Sequence, residues 1–224
     1  MLNRISKSRR GKQFMGPTSD SQFVETVTPN WNWLHEAAAL TNPMTSFTKK
    51  VLVFACGGTI DRKYVPEIGK LEFGHESVVP RLLLESRCEN YYFEQIMNKD
   101  SANMNNGDRQ TIFERVMRTT EPGDCIVITH GTDTMIETAR FIFDRLNKTP
   151  GGIDRVVVLT GAMTPGRYEG SDAPANLAGA LAVARVLTPG VRIHMNGYTL
   201  SPLSVETDDL VFKPGPGGDT ALHR

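Results

Sequence analysis

Two threonine-bearing turns hold the residues of this sequence best placed to do chemistry. Cys56-Gly57-Gly58-Thr59-Ile60 follows the apolar run Val51-Leu52-Val53-Phe54-Ala55, and His130-Gly131-Thr132-Asp133-Thr134 follows Asp124-Cys125-Ile126-Val127-Ile128-Thr129. Each turn sets a hydroxyl just past the carboxyl end of a strand-like segment, the edge at which open α/β sheets bind ligands. A threonine hydroxyl is a weak nucleophile at neutral pH and needs a base, a neighbouring cation or a hydrogen-bond relay. Thr59 and Thr132, with Asp133 to orient a charged partner, supply part of such a constellation.

Either turn alone has an ordinary explanation. Thr134-Met135-Ile136-Glu137 fits a capping box, and Asp133 would also serve as an N-cap. Gly57-Gly58 stands where a dinucleotide fingerprint would stand. The three spaced glycines of that motif are missing, however, since the next glycine is Gly69. The pairing of the two turns is what points to nucleophilic chemistry on a small molecule.

The elements that must position them alternate. Strand-like runs lie at 50–55, 124–129 and 155–160, with weaker ones at 92–97 and 191–195; amphipathic stretches lie at 78–86, 107–119, 134–146 and 173–187. In the third of these, Ile136, Ala139, Phe143 and Leu146 share a helical face. Near-continuous apolar strands between helices predict an α/β fold, a mostly parallel sheet flanked by helices. The expected organisation is an N-terminal extension over 1–48, disordered or loosely docked, an α/β domain over 49–196 and a C-terminal tail over 197–224.

Bulk properties narrow the partners. The 224 residues carry 25 basic and 25 acidic side chains, a balance that gives no electrostatic support to a nucleic-acid partner. No run reaches the roughly 18 apolar residues of a membrane span. Cys56, Cys88 and Cys125 leave one unpaired under any disulfide scheme, which fits a cytoplasmic location. The five histidines are scattered, which agrees with an expectation of no metal cofactor.

Three segments together carry a family resemblance: Ala55-Cys56-Gly57-Gly58-Thr59-Ile60, the stretch from Ile128 through the second turn to Ala139, and Leu159-Thr160-Gly161-Ala162-Met163-Thr164-Pro165 followed by Ser171 to Asn176. They resemble the bacterial-type L-asparaginases, the asparaginase/glutaminase family, over about residues 50–196. The resemblance implies that Thr59 attacks the side-chain amide of L-asparagine, that ammonia leaves, and that water hydrolyses the acyl-enzyme. It implies that Tyr64, on a closing loop, polarises the Thr59 hydroxyl. Thr132 corresponds to the family's second threonine, and Asp133 to the carboxylate that receives the α-ammonium. Asp100 and Ser101 match the serine-containing loop as substrate-binding residues, Ser101 taking the α-carboxylate. Backbone amides near the turns, that of Thr132 included, would form the oxyanion site.

Two departures accompany the match. The position aligned with the family's lysine holds Thr207, and Lys213 is the nearest lysine able to replace it. The usual second α/β domain is not in this sequence, so the expectation is a short-chain form or a truncated relative, a homo-oligomer that completes its site from its tail or from a neighbouring protomer. The expected substrate is L-asparagine, with L-glutamine also open because one methylene separates them. A non-catalytic amino-acid-binding module derived from the family is the other reading.

Overall fold

The computed structural model describes residues 49–208 and 211–214; the expected extension over 1–48 and the end of the tail lie outside them. In chain order the elements are β1 (Val51–Gly57), β2 (Arg62–Val65), β3 (Lys70–Phe73), α1 (Val79–Glu85), β4 (Tyr91–Lys99), α2 (Asn106–Thr119), β5 (Cys125–Thr129), α3 (Met135–Asn147), β6 (Val156–Thr160), α4 (Ala173–Val186), β7 (Gly190–Met195), β8 (Tyr198–Leu200), β9 (Val205–Asp208) and β10 (Val211–Pro214).

The main sheet runs β4-β1-β5-β6-β7-β8. The first five strands pair in parallel and β8 closes the edge antiparallel to β7. Alternate residues of each strand feed two cores. Phe54, Ile126, Ile128, Val157 and Leu159 pack with Ile112 and Val116 of α2 and with Ile142 and Leu146 of α3. Val51, Val53, Ala55, Val127 and Val158 pack on the other face with Leu82 and Leu83 of α1 and Leu177 and Leu181 of α4. Full burial of each of these Val, Leu, Ile and Phe side chains stabilises the fold by about 1.5–3 kcal/mol. This is the expected three-layer α/β architecture.

The strand order fixes where a ligand can sit. From β1 the chain passes to β4 on one side, then returns across β1 to β5 and continues away to β6 and β7. β1 and β5 are therefore neighbours whose outgoing loops diverge, the topological switch point at which the carboxyl edge of such sheets opens into a crevice. Both threonine turns leave the sheet there.

Several local expectations are corrected. The chain past 196 does not leave the body at once: Asn196 (φ 51°) and Gly197 (φ 80°) make a two-residue turn of the kind that suits tight hairpins. β8 returns along β7, and Leu200 and Val205 enter the first core. The boundary drawn after 196 falls inside this hairpin. On α3 the buried stripe is Met135, Thr138, Ala139, Ile142 and Leu146, whereas Ile136 and Phe143 are only half-buried. The Thr134 to Glu137 capping box does not form: the Thr134 hydroxyl donates to Ser101 O at 2.8 Å, and Glu137 accepts from Arg109 at 2.6 Å. A capping box is found instead at the start of α2, between Asn105 and Asp108.

Candidate functional site

Thr59 opens a short 3-10 turn, Thr59–Asp61, at the carboxyl end of β1. The two glycines before it hold φ of 92° and 84°, values that side chains rarely tolerate. A Cβ on Gly57 would press on the backbone of Lys99, and one on Gly58 would collide with Gly131 N and Cα. The double glycine thus lets β1's turn lie directly on two neighbouring backbones. The Gly58 amide donates to Lys99 O at 3.0 Å, and the Gly166 amide to Ile60 O at 3.0 Å. Thr59, half-buried, is gripped on both flanks.

The second turn is seated just as closely. Thr132, 9% exposed, and the exposed Asp133 begin the 3-10 turn Thr132–Thr134 that leads into α3. A Cβ on Gly131 would stand 2.6 Å from Ser101 Cβ, nearer still to its Oγ, and 3.2 Å from Gly58 Cα. The His130 amide donates to Thr160 O at 2.8 Å, and Gly161 is packed on His130 O. Asp172 accepts from the amides of Met163 and Thr164, while Asn176 donates to Gly161 O at 3.1 Å. The loops after β1, β4, β5 and β6 therefore meet backbone against backbone, with Thr59, Ser101, Thr132 and Asp133 among their residues.

Ser101 is fully buried, and its Oγ has no hydrogen-bond partner among the described residues. A buried hydroxyl left unpaired costs about 1–3 kcal/mol, which a ligand oxygen would recover. Its neighbour Asp100 is already occupied. One carboxylate oxygen accepts from the Ala102 amide and the other pairs with Arg62, whose guanidinium also lies over the Phe73 ring. In this conformation Asp100 anchors the β2–β3 hairpin to the Ser101 turn and is not free for substrate, which departs from its expected role.

Tyr64 stands on β2 opposite Leu71, 53% exposed, its hydroxyl turned toward Gly69 at the tip of the hairpin. This position does not bring it onto Thr59. The Lys213 backbone pairs with Glu206 in the β9–β10 ribbon, and its side chain, like that of Thr207, lies outside the described atoms.

Two other nucleophile or base candidates near Thr59 and Thr132 are disarmed. Burial, and then the Asp61 carboxylate, push the Cys56 thiol far up, so it stays protonated. His130 is wholly buried, its Nδ1 within 2.8 Å of Gly131 O and its Nε2 within 2.9 Å of Thr138 Oγ1. Since a carbonyl only accepts, Nδ1 carries the proton and the neutral ring has no free nitrogen for substrate. Burial, the main cause, pushes His130 down to about 4 from 6.5. Below 6.5 the unfolded chain takes up a proton that the native chain refuses until about 4. Stability present above about pH 6.5 should therefore fall by about 3 kcal/mol as pH drops toward 4. Urea unfolding at pH 7 and at pH 4.5 measures this, with a His130→Gln chain as the flatter control.

The sequence reading passed over Asp61, two residues after Thr59. It is 1% exposed, and its Oδ1 accepts from Ser77 Oγ at 2.7 Å and from the Val78 amide at 2.8 Å. It thereby ties the Thr59 turn to the start of α1. Burial raises its pKa against the lowering effects of Ser77, Val78 and Arg167. A raised carboxyl binds its proton more tightly in the native state, so this contribution is lost as pH climbs through the native pKa. Asp61→Ala should cost about 1–3 kcal/mol by stranding two donors. Asp61→Asn, which keeps a carbonyl acceptor, should cost less and remove that pH dependence in the same unfolding assay.

Among the described residues no three His, Cys, Asp or Glu side chains are grouped to hold a metal, and no helix is long and apolar enough to cross a membrane.

Residues 50–207 match the family model for the asparaginase N-terminal domain. L-asparaginase 2 of Escherichia coli is 33% identical over 183 residues, covering 79% of this chain and 51% of that protein. The glutaminase-asparaginase of Pseudomonas fluorescens is 32% identical, covering 67% of this chain and 43% of that protein. The solved structure of the thermostable L-asparaginase from Thermococcus kodakarensis superposes with a TM-score of 0.62 at 32% identity, over 74% of this chain and 51% of the other. The chain thus spans about half the length of the curated relatives it matches.

Proposed function

Because the chain belongs to the asparaginase family, we propose that it hydrolyses the side-chain amide of L-asparagine to L-aspartate and ammonia through a threonine nucleophile. The observation that carries this reading is the backbone contact of the loops after β1, β4 and β5, which gathers Thr59, Thr132 and the unpaired Ser101 Oγ at the switch point. In the proposed reaction Thr59 Oγ bonds to the amide carbon, the C–N bond breaks, and nitrogen departs as ammonia carrying the transferred proton. Water then cleaves the aspartyl ester and restores the hydroxyl. The Thr132 amide faces the charge that develops on the carbonyl oxygen, Ser101 takes the α-carboxylate and Asp133 the α-ammonium.

Closure of the β2–β3 hairpin would carry Tyr64 to Thr59 and exclude water during the acyl stage. Lys213 is the cation assigned to assist Thr132. The reading extends to a cytoplasmic homo-oligomer acting without a cofactor; the three free cysteines support the compartment. L-glutamine stays in view as a second substrate through the glutaminase-asparaginase relative.

Ammonia release from purified full chain supplied with L-asparagine and, separately, L-glutamine tests the proposal. Turnover with L-asparagine at least equal to that with L-glutamine is expected. Binding of L-asparagine by calorimetry with no ammonia from either amide would replace the enzyme by an amino-acid-binding module.

A further inference from the structure

The second threonine turn rests on a chain of buried polar groups. Arg109 on α2, 5% exposed, donates from Nε to Thr138 Oγ1 of α3 at 3.3 Å. The Thr138 hydroxyl, fully buried, donates to His130 Nε2 at 2.9 Å, and His130 Nδ1–H donates to Gly131 O at 2.8 Å. Every donor in the series has one acceptor, so the direction of the whole relay follows from the single fact that a peptide carbonyl cannot donate. Arg109 is itself held by Glu137 Oε2 at 2.6 Å and Asn106 Oδ1 at 3.3 Å.

Placing these groups in an apolar core needs a reason. Valine would fill the Thr138 position with the same shape and no polar cost, and a buried guanidinium is tolerated only when paired. The series runs from Arg109 through Thr138 to His130 and ends on one peptide oxygen, Gly131 O, which of the three His130 alone touches. Gly131 O and the Thr132 N–H belong to the same planar unit and point to opposite sides of it. Pinning the oxygen therefore aims the amide.

We propose that His130, Thr138 and Arg109 are positioning residues that lock the Gly131–Thr132 peptide plane and so aim the Thr132 N–H into the crevice between the threonine turns. None of the three touches substrate. The kinetic part of this inference rests on the hydrolytic reading above, and the structural part does not.

The test uses the full chain, wild type, Thr138→Val and Thr138→Ser. In the wild type, 15N-histidine spectra should show His130 as the Nδ1–H tautomer with no titration near 6.5. Thr138→Val should raise amide hydrogen exchange at Gly131 and Thr132 by about tenfold or more while the β5 and β6 amides keep their protection. Thr138→Ser should restore wild-type exchange. With L-asparagine, Thr138→Val should lower kcat about tenfold with KM within about twofold, the pattern of a misaimed transition-state donor. An Nε2–H tautomer in the wild type would overturn the relay even if the valine variant failed to fold. So would unchanged exchange at Gly131 and Thr132, or faster exchange spread evenly over the sheet. If the wild type releases no ammonia, the hydrolytic reading fails while the tautomer and exchange results still decide the relay.

Discussion

Thr59→Ala should abolish hydrolysis of L-asparagine, with kcat down by about 10⁴-fold or more, because no neighbouring group can take over the attack. Cys56 is buried with its thiol protonated, and His130 has both ring nitrogens engaged. Thr132 belongs to a different turn, seated on Gly58 and Ser101 through Gly131. The change removes a hydroxyl from a half-buried side chain at the end of β1 and leaves the bonds from Gly58 N to Lys99 O and from Gly166 N to Ile60 O in place. Folding and amino-acid binding should survive. Steady-state ammonia release paired with calorimetry on the same preparation checks both halves, and Thr59→Ser, which keeps a hydroxyl, should retain measurable turnover. Loss of binding together with turnover would show that the substitution had damaged the site as a whole.

Gly131→Ala should also be damaging, though less so, for a steric reason. The residue's backbone is ordinary, φ −69° and ψ 143°, so the conformation itself would accept alanine. The obstacle is space: the new methyl would lie 2.6 Å from Ser101 Cβ and 3.2 Å from Gly58 Cα. Rotating Ser101 moves its Oγ but neither of those carbons, so two backbones must separate. Overpacking of this sort costs about 1–3 kcal/mol. Displacing reacting groups by about 1 Å can cost about 10²-fold in rate. We expect kcat/KM to fall by at least that factor while the protein remains folded, as read from kinetics and urea unfolding of the same variant. Activity within about twofold of wild type would mean that the close seating of the turns is not needed for turnover.

Much of the fold was legible in the sequence because the central strands are buried on both faces. Val51 to Cys56, Cys125 to Thr129 and Val156 to Thr160 are buried almost without interruption and read as uninterrupted apolar runs. The β2–β3 hairpin carries no such signal. Arg62-Lys63-Tyr64-Val65 and Lys70-Leu71-Glu72-Phe73 bury no residue fully, and only the Pro66 to Gly69 turn between them marks it. β8 was foreshadowed by Asn196-Gly197, a hairpin turn pair that the expected boundary after 196 divides.

At the site, the threonines were visible through their turns, whereas the groups that hold those turns were not. Asp61, Arg62 and Arg109 act through partners 16 to 38 residues away in sequence, and Thr138 links Arg109, 29 residues away, to His130, 8 residues away. No local pattern encodes such pairings. The capping expectation failed for the same reason, because Thr134 and Glu137 found tertiary partners in Ser101 and Arg109 in place of each other.

The central claim is that Thr59 forms a covalent bond to the substrate acyl group. Rapid acid quenching of the chain during turnover of L-asparagine, followed by peptide mapping by mass spectrometry, tests it most directly. The account predicts an aspartyl ester on the peptide that contains Thr59, absent from Thr59→Ala and lost when the wild type is left to exhaust its substrate. Turnover with no adduct, or an adduct carried by Thr132, would contradict it.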